Sequence, residues 1–126
     1  MIGRRPWPKP ASIVILGLIG SPEDAPAFFD TIRRLAAPGA RIIGTTRDPY
    51  VTDDPVHHAY HERNRQRGRP PGQVTHRIRR RDVATPWSDL LWVSFEELGA
   101  ITGPLGWPAI ERRTNGPHET VVLVME

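Results

Sequence analysis

Three groups of side chains in this sequence could do chemistry. The first is a single carboxylate, Asp48, in the run Thr45-Thr46-Arg47-Asp48-Pro49-Tyr50. Such a group can take a proton from a hydroxyl or amine nucleophile if a neighbour raises its pKa; a carboxylate and an arginine before a proline can also simply solvate a turn. The second group is His57, His58 and His61. His57 and His61 stand four residues apart, the spacing that sets two imidazoles on one helix face, where zinc could bind. The glutamate of H-E-x-x-H is missing and no third ligand follows at a diagnostic distance, so no metal site is expected. The reading is a solvated helix face with His57, and Tyr60 beside it, near a substrate entrance. The third group is a run of eight arginines, from Arg63 to Arg81, containing no acidic residue. Such a run could follow a phosphate backbone. No aromatic residue lies between Tyr60 and Trp87 to stack on bases, however, so a solvated loop and strand face is expected and nucleic acid is not the expected partner. Trp87, after Thr85-Pro86, is placed to line a substrate cleft.

Composition narrows the class. A chain of 126 residues, 38% hydrophobic and 25% charged, is neither disordered nor collagen-like and can bury a real core. It has no cysteine, which excludes disulfides, a cysteine nucleophile and a zinc ribbon. Sixteen of its seventeen basic residues are arginine, and the formal net charge is only +3. The longest apolar run spans seven residues, from Ile13 to Ile19, against the roughly 20 that a membrane span needs. No signal-peptide pattern opens the chain, so a cytoplasmic protein without a membrane partner is expected.

The elements that must position these residues follow from hydrophobic periodicity. Residues 1–10 hold three prolines and read as an irregular lead-in. The continuous apolar run from Ser12 to Gly20 reads as a strand buried on both faces, with a neighbour on each edge. Ala25, Phe28, Phe29, Ile32, Leu35 and Ala36 recur at helical spacing. Pro26 belongs in a first turn, which favours Asp24 over Ser21 as the cap. Pro38-Gly39 ends that helix, and residues 40–46 read as a second strand, parallel to the first through a right-handed crossover. Asp54-Pro55 opens another helix. Residues 73–82 alternate as a half-exposed strand, and Ser94-Phe95-Glu96-Glu97 forms a capping box. Asn115-Gly116 joins the last two apolar runs into an antiparallel hairpin. Ligands of open α/β sheets gather at the carboxyl ends of parallel strands, which sets residues 20–23 and 45–50 at the functional rim.

This order of elements, with Leu35-Ala36-Ala37-Pro38-Gly39-Ala40-Arg41-Ile42 after the first strand and helix, resembles a known family. Ser94-Phe95-Glu96-Glu97-Leu98, then Gly106-Trp107 before the terminal hairpin, extend the match. Together they resemble the C-terminal half of class I S-adenosylmethionine-dependent methyltransferases, across residues 11–126. Ala40 stands where the family has a second glycine. The resemblance implies an α/β fold, a partial Rossmann-like methyltransferase domain of parallel strands with helices plus a C-terminal antiparallel hairpin. Residues 50–92 would be an inserted substrate-side segment. It implies methyl transfer to a small-molecule acceptor, with S-adenosylmethionine near Gly20 and Ser21. Arg47, Tyr50, His57, Tyr60 and Trp87 would meet the acceptor, and Asp48 would be the catalytic base.

One departure bears on all of this. The family's glycine-rich cofactor loop, G-x-G-x-G or G-x-G-x-x-G, is absent from the chain. A lone chain is therefore expected to be inactive. Without the strand that would lie beside it, the strand from Ser12 to Gly20 exposes an edge, which predicts a homodimer or a separate N-terminal half as partner. The alternatives are a non-catalytic module that binds RNA or an anionic partner through Arg63 to Arg81, or an assembly partner of another methyltransferase subunit.

Overall fold

The apolar run at the start leaves the extended conformation early. In the computed structural model of the chain, which describes residues 11–126, strand β1 (Ala11–Ile15) has five residues and not the nine expected. The chain then turns through a 3₁₀ segment, Leu16–Ile19, closed by a hydrogen bond from Gly20 N to Gly17 O at 3.2 Å. Glycines make this possible. Gly20 has a φ of +85°, and the Trp92 ring lies where a side chain on Gly17 would be. The turn sends Leu16 and Ile19 into the core and leaves Leu18 exposed. The lead-in expected over residues 1–10 lies outside the described residues.

A second 3₁₀ turn, Pro22–Asp24, leads into helix α1 (Ala25–Leu35). Asp24 stands at the cap position of α1, as expected, although its side chain makes no capping bond; Ser21 caps the preceding 3₁₀ turn, its Oγ accepting from Asp24 N at 3.3 Å. Phe28, Phe29 and Ile32 pack inward, whereas Leu35, expected in the same stripe, stays exposed. Next come β2 (Arg41–Arg47), α2 (Pro55–Gln66), β3 (Gln73–His76), β4 (Arg79–Arg80), β5 (Val83–Ala84) and β6 (Ser88–Leu91). Helix α3 (Phe95–Thr102) and the strands β7 (Ala109–Asn115) and β8 (His118–Val124) complete the chain. The Ser94 capping box is formed, with Glu97 N donating to Ser94 Oγ and Ser94 N to Glu97 Oε1.

The strand arrangement corrects the sequence reading of a parallel-stranded, Rossmann-like domain. Among the described residues, β2·β8, β7·β8, β3·β6 and β4·β5 pair antiparallel, and the one parallel pair is β1·β2. Connection length accounts for part of this: the α1 segment supplies the crossover of a dozen or more residues that parallel β1 and β2 need, while the two-residue turns joining β4 to β5 and β7 to β8 allow only antiparallel partners. The main sheet is mixed, in the order β1-β2-β8-β7, so β1 is an edge strand with one described neighbour and not the two expected. The expected strand over residues 73–82 is also divided. Its ends enter two separate two-stranded ribbons, β3-β6 and β4-β5, outside the main sheet.

One apolar core joins the sheet to α1 and α3. Leu16, Phe29, Ile42, Leu98, Val121 and Leu123 are all buried in it. Trp107 is sealed beneath them, 6.0 Å from the Phe29 ring, with the Arg33 guanidinium 5.8 Å above its own ring. Arg33 also donates to Leu105 O at 2.9 Å and Glu126 O at 3.2 Å, tying α1 to the end of the chain. No helix among the described residues is long and apolar enough to cross a membrane.

Candidate functional site

The carboxyl end of β2 opens into a cavity of about 300 Å³. Arg47 is the last residue of the strand, and the next peptide is fixed by Asp48 N donating to Pro117 O at 2.7 Å. Asp48 Oδ1 accepts from Tyr50 N at 2.9 Å, an Asx turn that holds the loop in place. Asp54 then caps α2, accepting from Val56 N at 2.9 Å, with Pro55 at the first helical position. The helix turns His57, Tyr60 and His61 toward the cavity, at the i, i+3 and i+4 spacing of one face.

The opposite wall is held by polar pins. Asn64 is buried, and its Nδ2 donates to Pro71 O at 2.8 Å and Gln73 O at 2.9 Å, fastening the 70–73 loop to α2. Gly72 accepts from Trp92 N at 2.8 Å, and the Trp92 carbonyl occupies the place a side chain on Gly72 would need. Glycine is therefore required there by close approach. Gln73 and Thr75 both donate to Asp89 at 2.8 Å, closing the β3-β6 ribbon and holding the Asp89 carboxyl below its ordinary range.

Arg47, Asp48, His57 and Tyr60, all singled out from sequence, meet in this cavity. Tyr50 stands beside it. Its hydroxyl donates to Glu97 Oε2 at 2.7 Å, and burial followed by the Glu97 carboxylate pushes its pKa up. Its ring meets His61 edge-on at 5.8 Å. Trp87 is elsewhere: it is 63% exposed, lines neither cavity described here, and carries the Arg77 guanidinium 4.5 Å above its ring. Gly20 and Ser21 line neither cavity.

Sequence reasoning passed over the remaining walls. His61, expected on a solvated helix face, is instead a buried member of the cavity, with no hydrogen bond to its ring among the described residues. Burial first, then the nearby Arg65, His58 and His57, lowers its pKa, so its imidazole is neutral at neutral pH. The i, i+4 spacing with His57 was the available signal. Thr52, whose Oγ1 lies 2.6 Å from His57 Nδ1, and Trp92 and Val74 gave none, because tertiary packing alone brings them in.

A second cavity, of about 280 Å³, adjoins the first and shares Arg47 and Trp92 with it. Thr45, Thr46 and Thr120 line it beside His118 and Glu119. Glu119 is 2% exposed and is satisfied by Arg112 Nη2 at 3.3 Å and Thr114 Oγ1 at 3.1 Å. Arg47 at the junction has no ion-pair partner among the described residues.

No family model and no curated protein matches the sequence. Solved structures do. A SAM-dependent methyltransferase from Bacteroides fragilis, in complex with S-adenosyl-L-homocysteine, is similar with a TM-score of 0.68 at 23% identity, over 92% of this chain and 49% of that one. A SAM-dependent methyltransferase from Methanosarcina mazei gives 0.63 at 10% identity, over 90% and 58%. The fold resembles that of SAM-dependent methyltransferases. The glycopeptide N-methyltransferase MtfA, complexed with S-adenosyl-L-homocysteine, gives 0.54 at 13% identity, over 92% and 54%. These likenesses are of fold, and this chain spans about half the length of the structures it matches.

The residues expected to hold a cofactor do not make a complete site for S-adenosylmethionine. Ser21 Oγ donates to Asp24 Oδ2 at 2.9 Å while accepting from Asp24 N, and Gly20 N is bonded to Gly17 O. Both residues are committed to their own turn. A Cβ built on Gly20 meets only ordinary contacts, 3.4 Å to Asp89 O, so the glycine answers to its positive φ and leaves no cradle.

Proposed function

We propose that this chain is the acceptor-binding side of a SAM-dependent methyltransferase that acts on a small molecule and is inactive as a lone chain. The convergence of Arg47, Asp48, His57 and Tyr60 on one cavity carries this reading, within a fold resembling proteins solved with S-adenosyl-L-homocysteine. In such a reaction the cofactor supplies the methyl group. The chain's own residues hold the acceptor, exclude water and take its proton. Asp48 is the base on this reading; its Oδ1 is occupied by Tyr50 N, and its Oδ2 has no protein hydrogen bond among the described residues. Gly20 and Ser21 would border the cofactor, with most of its contacts coming from another polypeptide segment.

Edge strand β1 supports assembly, either with a second copy or with a separate cofactor-binding half. It has one described neighbour, and Ile15 and Leu18 are exposed close by. Calorimetric titration with S-adenosyl-L-homocysteine tests both parts of the proposal. The lone chain should give no saturable heat. The tagged chain purified from its own cells should carry a subunit with a glycine-rich loop, and that assembly should bind. If neither preparation binds, the methyltransferase reading is wrong.

One observation favours a second reading, an anion-binding module. Arg79, Arg80 and Arg81 are exposed on the β4-β5 ribbon, close in sequence to the Arg77-Trp87 stack. On that reading, polynucleotide binding weakens steeply with added salt; no binding at low salt removes it.

A further inference from the structure

The two adjoining cavities carry more information than a generic acceptor. The first is small, about 300 Å³ against the roughly 300–1,000 Å³ usual for ligand pockets, so it suits a molecule of one ring better than an extended one. Its walls include Trp92, Tyr60, Val74, Pro49 and Pro71, which are flat or apolar. Arg47 lines both cavities from the strand end, and its planar donor fork has no ion-pair partner among the described residues. Acceptor groups stand in the same cavity, the Asp48 carboxylate and the His61 imidazole, which has no hydrogen bond of its own among the described residues. A ligand must therefore offer an anion to one residue and a proton donor to the others.

We propose that the cavity takes a small aromatic hydroxy-acid, its carboxylate paired with Arg47 and its ring against Trp92 and Tyr60. The ring hydroxyl donates to Asp48 or His61. Carboxylate and guanidinium match bidentately, and the second cavity lets water solvate the far side of that pair. A primary ammonium in the same place would oppose the Arg47 charge. The hydroxyl is the group whose proton would leave in methyl transfer, so this assignment deepens the acceptor reading and rests on it.

Three probes of similar size test the assignment on the full chain with no methyl donor present, by ligand-observed NMR and calorimetry. They are 4-hydroxybenzoate, its neutral amide, and 4-hydroxybenzylamine. The acid should bind saturably, about tenfold or more tighter than the amide, and the amine should bind most weakly. R47Q should reduce acid binding to about the level of the amide, and R47K should restore part of the loss. Arg47 is exposed, and the melting temperature of each variant shows whether the fold is retained. Equal binding of acid and amide, preference for the amine, an R47Q variant that binds the acid normally, or no saturable binding of any probe at millimolar concentration would overturn it. A chain that binds the acid, in an assembly that transfers no methyl group, keeps this assignment and loses the methyltransferase reading. An assembly that transfers methyl groups from a chain indifferent to the acid does the reverse.

Discussion

The main sheet and the segment inserted between β2 and α3 are stabilised by different physics. The sheet with α1 and α3 buries Phe29, Ile42, Leu98, Trp107, Val121 and Leu123 in one contiguous core. The segment carrying α2 and the two ribbons sends Leu91 and Val93 into that core, and its other buried side chains include the polar His61, Asn64 and Gln73. Its shape depends on a few hydrogen bonds, those of Asn64, Asp89 and the Gly72–Trp92 pair. Non-directional burial stabilises a scaffold, and directional bonds fix the outline of a cavity. The same few bonds also make that outline easy to disturb.

The largest effect should come from the scaffold. Trp107→Ala removes a fully buried ring and should cost about 3–5 kcal/mol, read by chemical denaturation. A smaller loss would mean the core does not bear on this residue.

Asn64→Ala should cost less, roughly 1–3 kcal/mol, because it leaves two loop carbonyls without their donor. Its signature is regional. Amide exchange should accelerate over residues 70–75 and stay slow in β2 and β8. Uniform acceleration would erase the contrast between the two regions.

A pH titration sharpens the contrast further. The folded His61 has a pKa below the ordinary 6.5, so between those two values the unfolded chain binds the proton and the folded chain does not. Stability contributed by neutral His61 is full above pH 6.5 and is lost as pH falls through the window beneath it. Melting temperature should drop with acidification below pH 6.5, and His61→Gln should flatten that drop. An unchanged slope in the variant would remove His61 as its cause. The smallest effect belongs to Arg34, whose ion pair with Asp30 is well exposed; Arg34→Ala should stay within about 0.5 kcal/mol in the same melts.

The same division governs what could be read from the chain in advance. Local signals were legible. The Ser94-Glu97 capping box, the Asp54-Pro55 helix start and the Asn115-Gly116 turn are each fixed by neighbours within a few residues, and each is formed. Pairing was not legible. The strand from Ser12 to Gly20 looked continuous because β-branched residues and leucine do not reveal that Gly17 must lie under the Trp92 ring. Residues 73–82 showed the right alternation but not their partners, since Asp89 draws β3 to β6 through side chains sixteen and fourteen residues away. At the site, Arg47 and Asp48 were legible from their place at a strand end. Trp92, Val74 and Thr52 enter the cavity only through the tertiary path of the inserted segment.

The claim that the inserted segment forms an acceptor site is tested most directly by methyl transfer. The tagged chain, purified with its partner from its own cells, would be given methyl-tritiated S-adenosylmethionine and the small-molecule fraction of a cell extract. The account predicts label in a small molecule and a fall of about 10²-fold or more in D48N, with S-adenosyl-L-homocysteine binding unchanged. Label transferred at the same rate by D48N and R47Q as by the unaltered chain would contradict it.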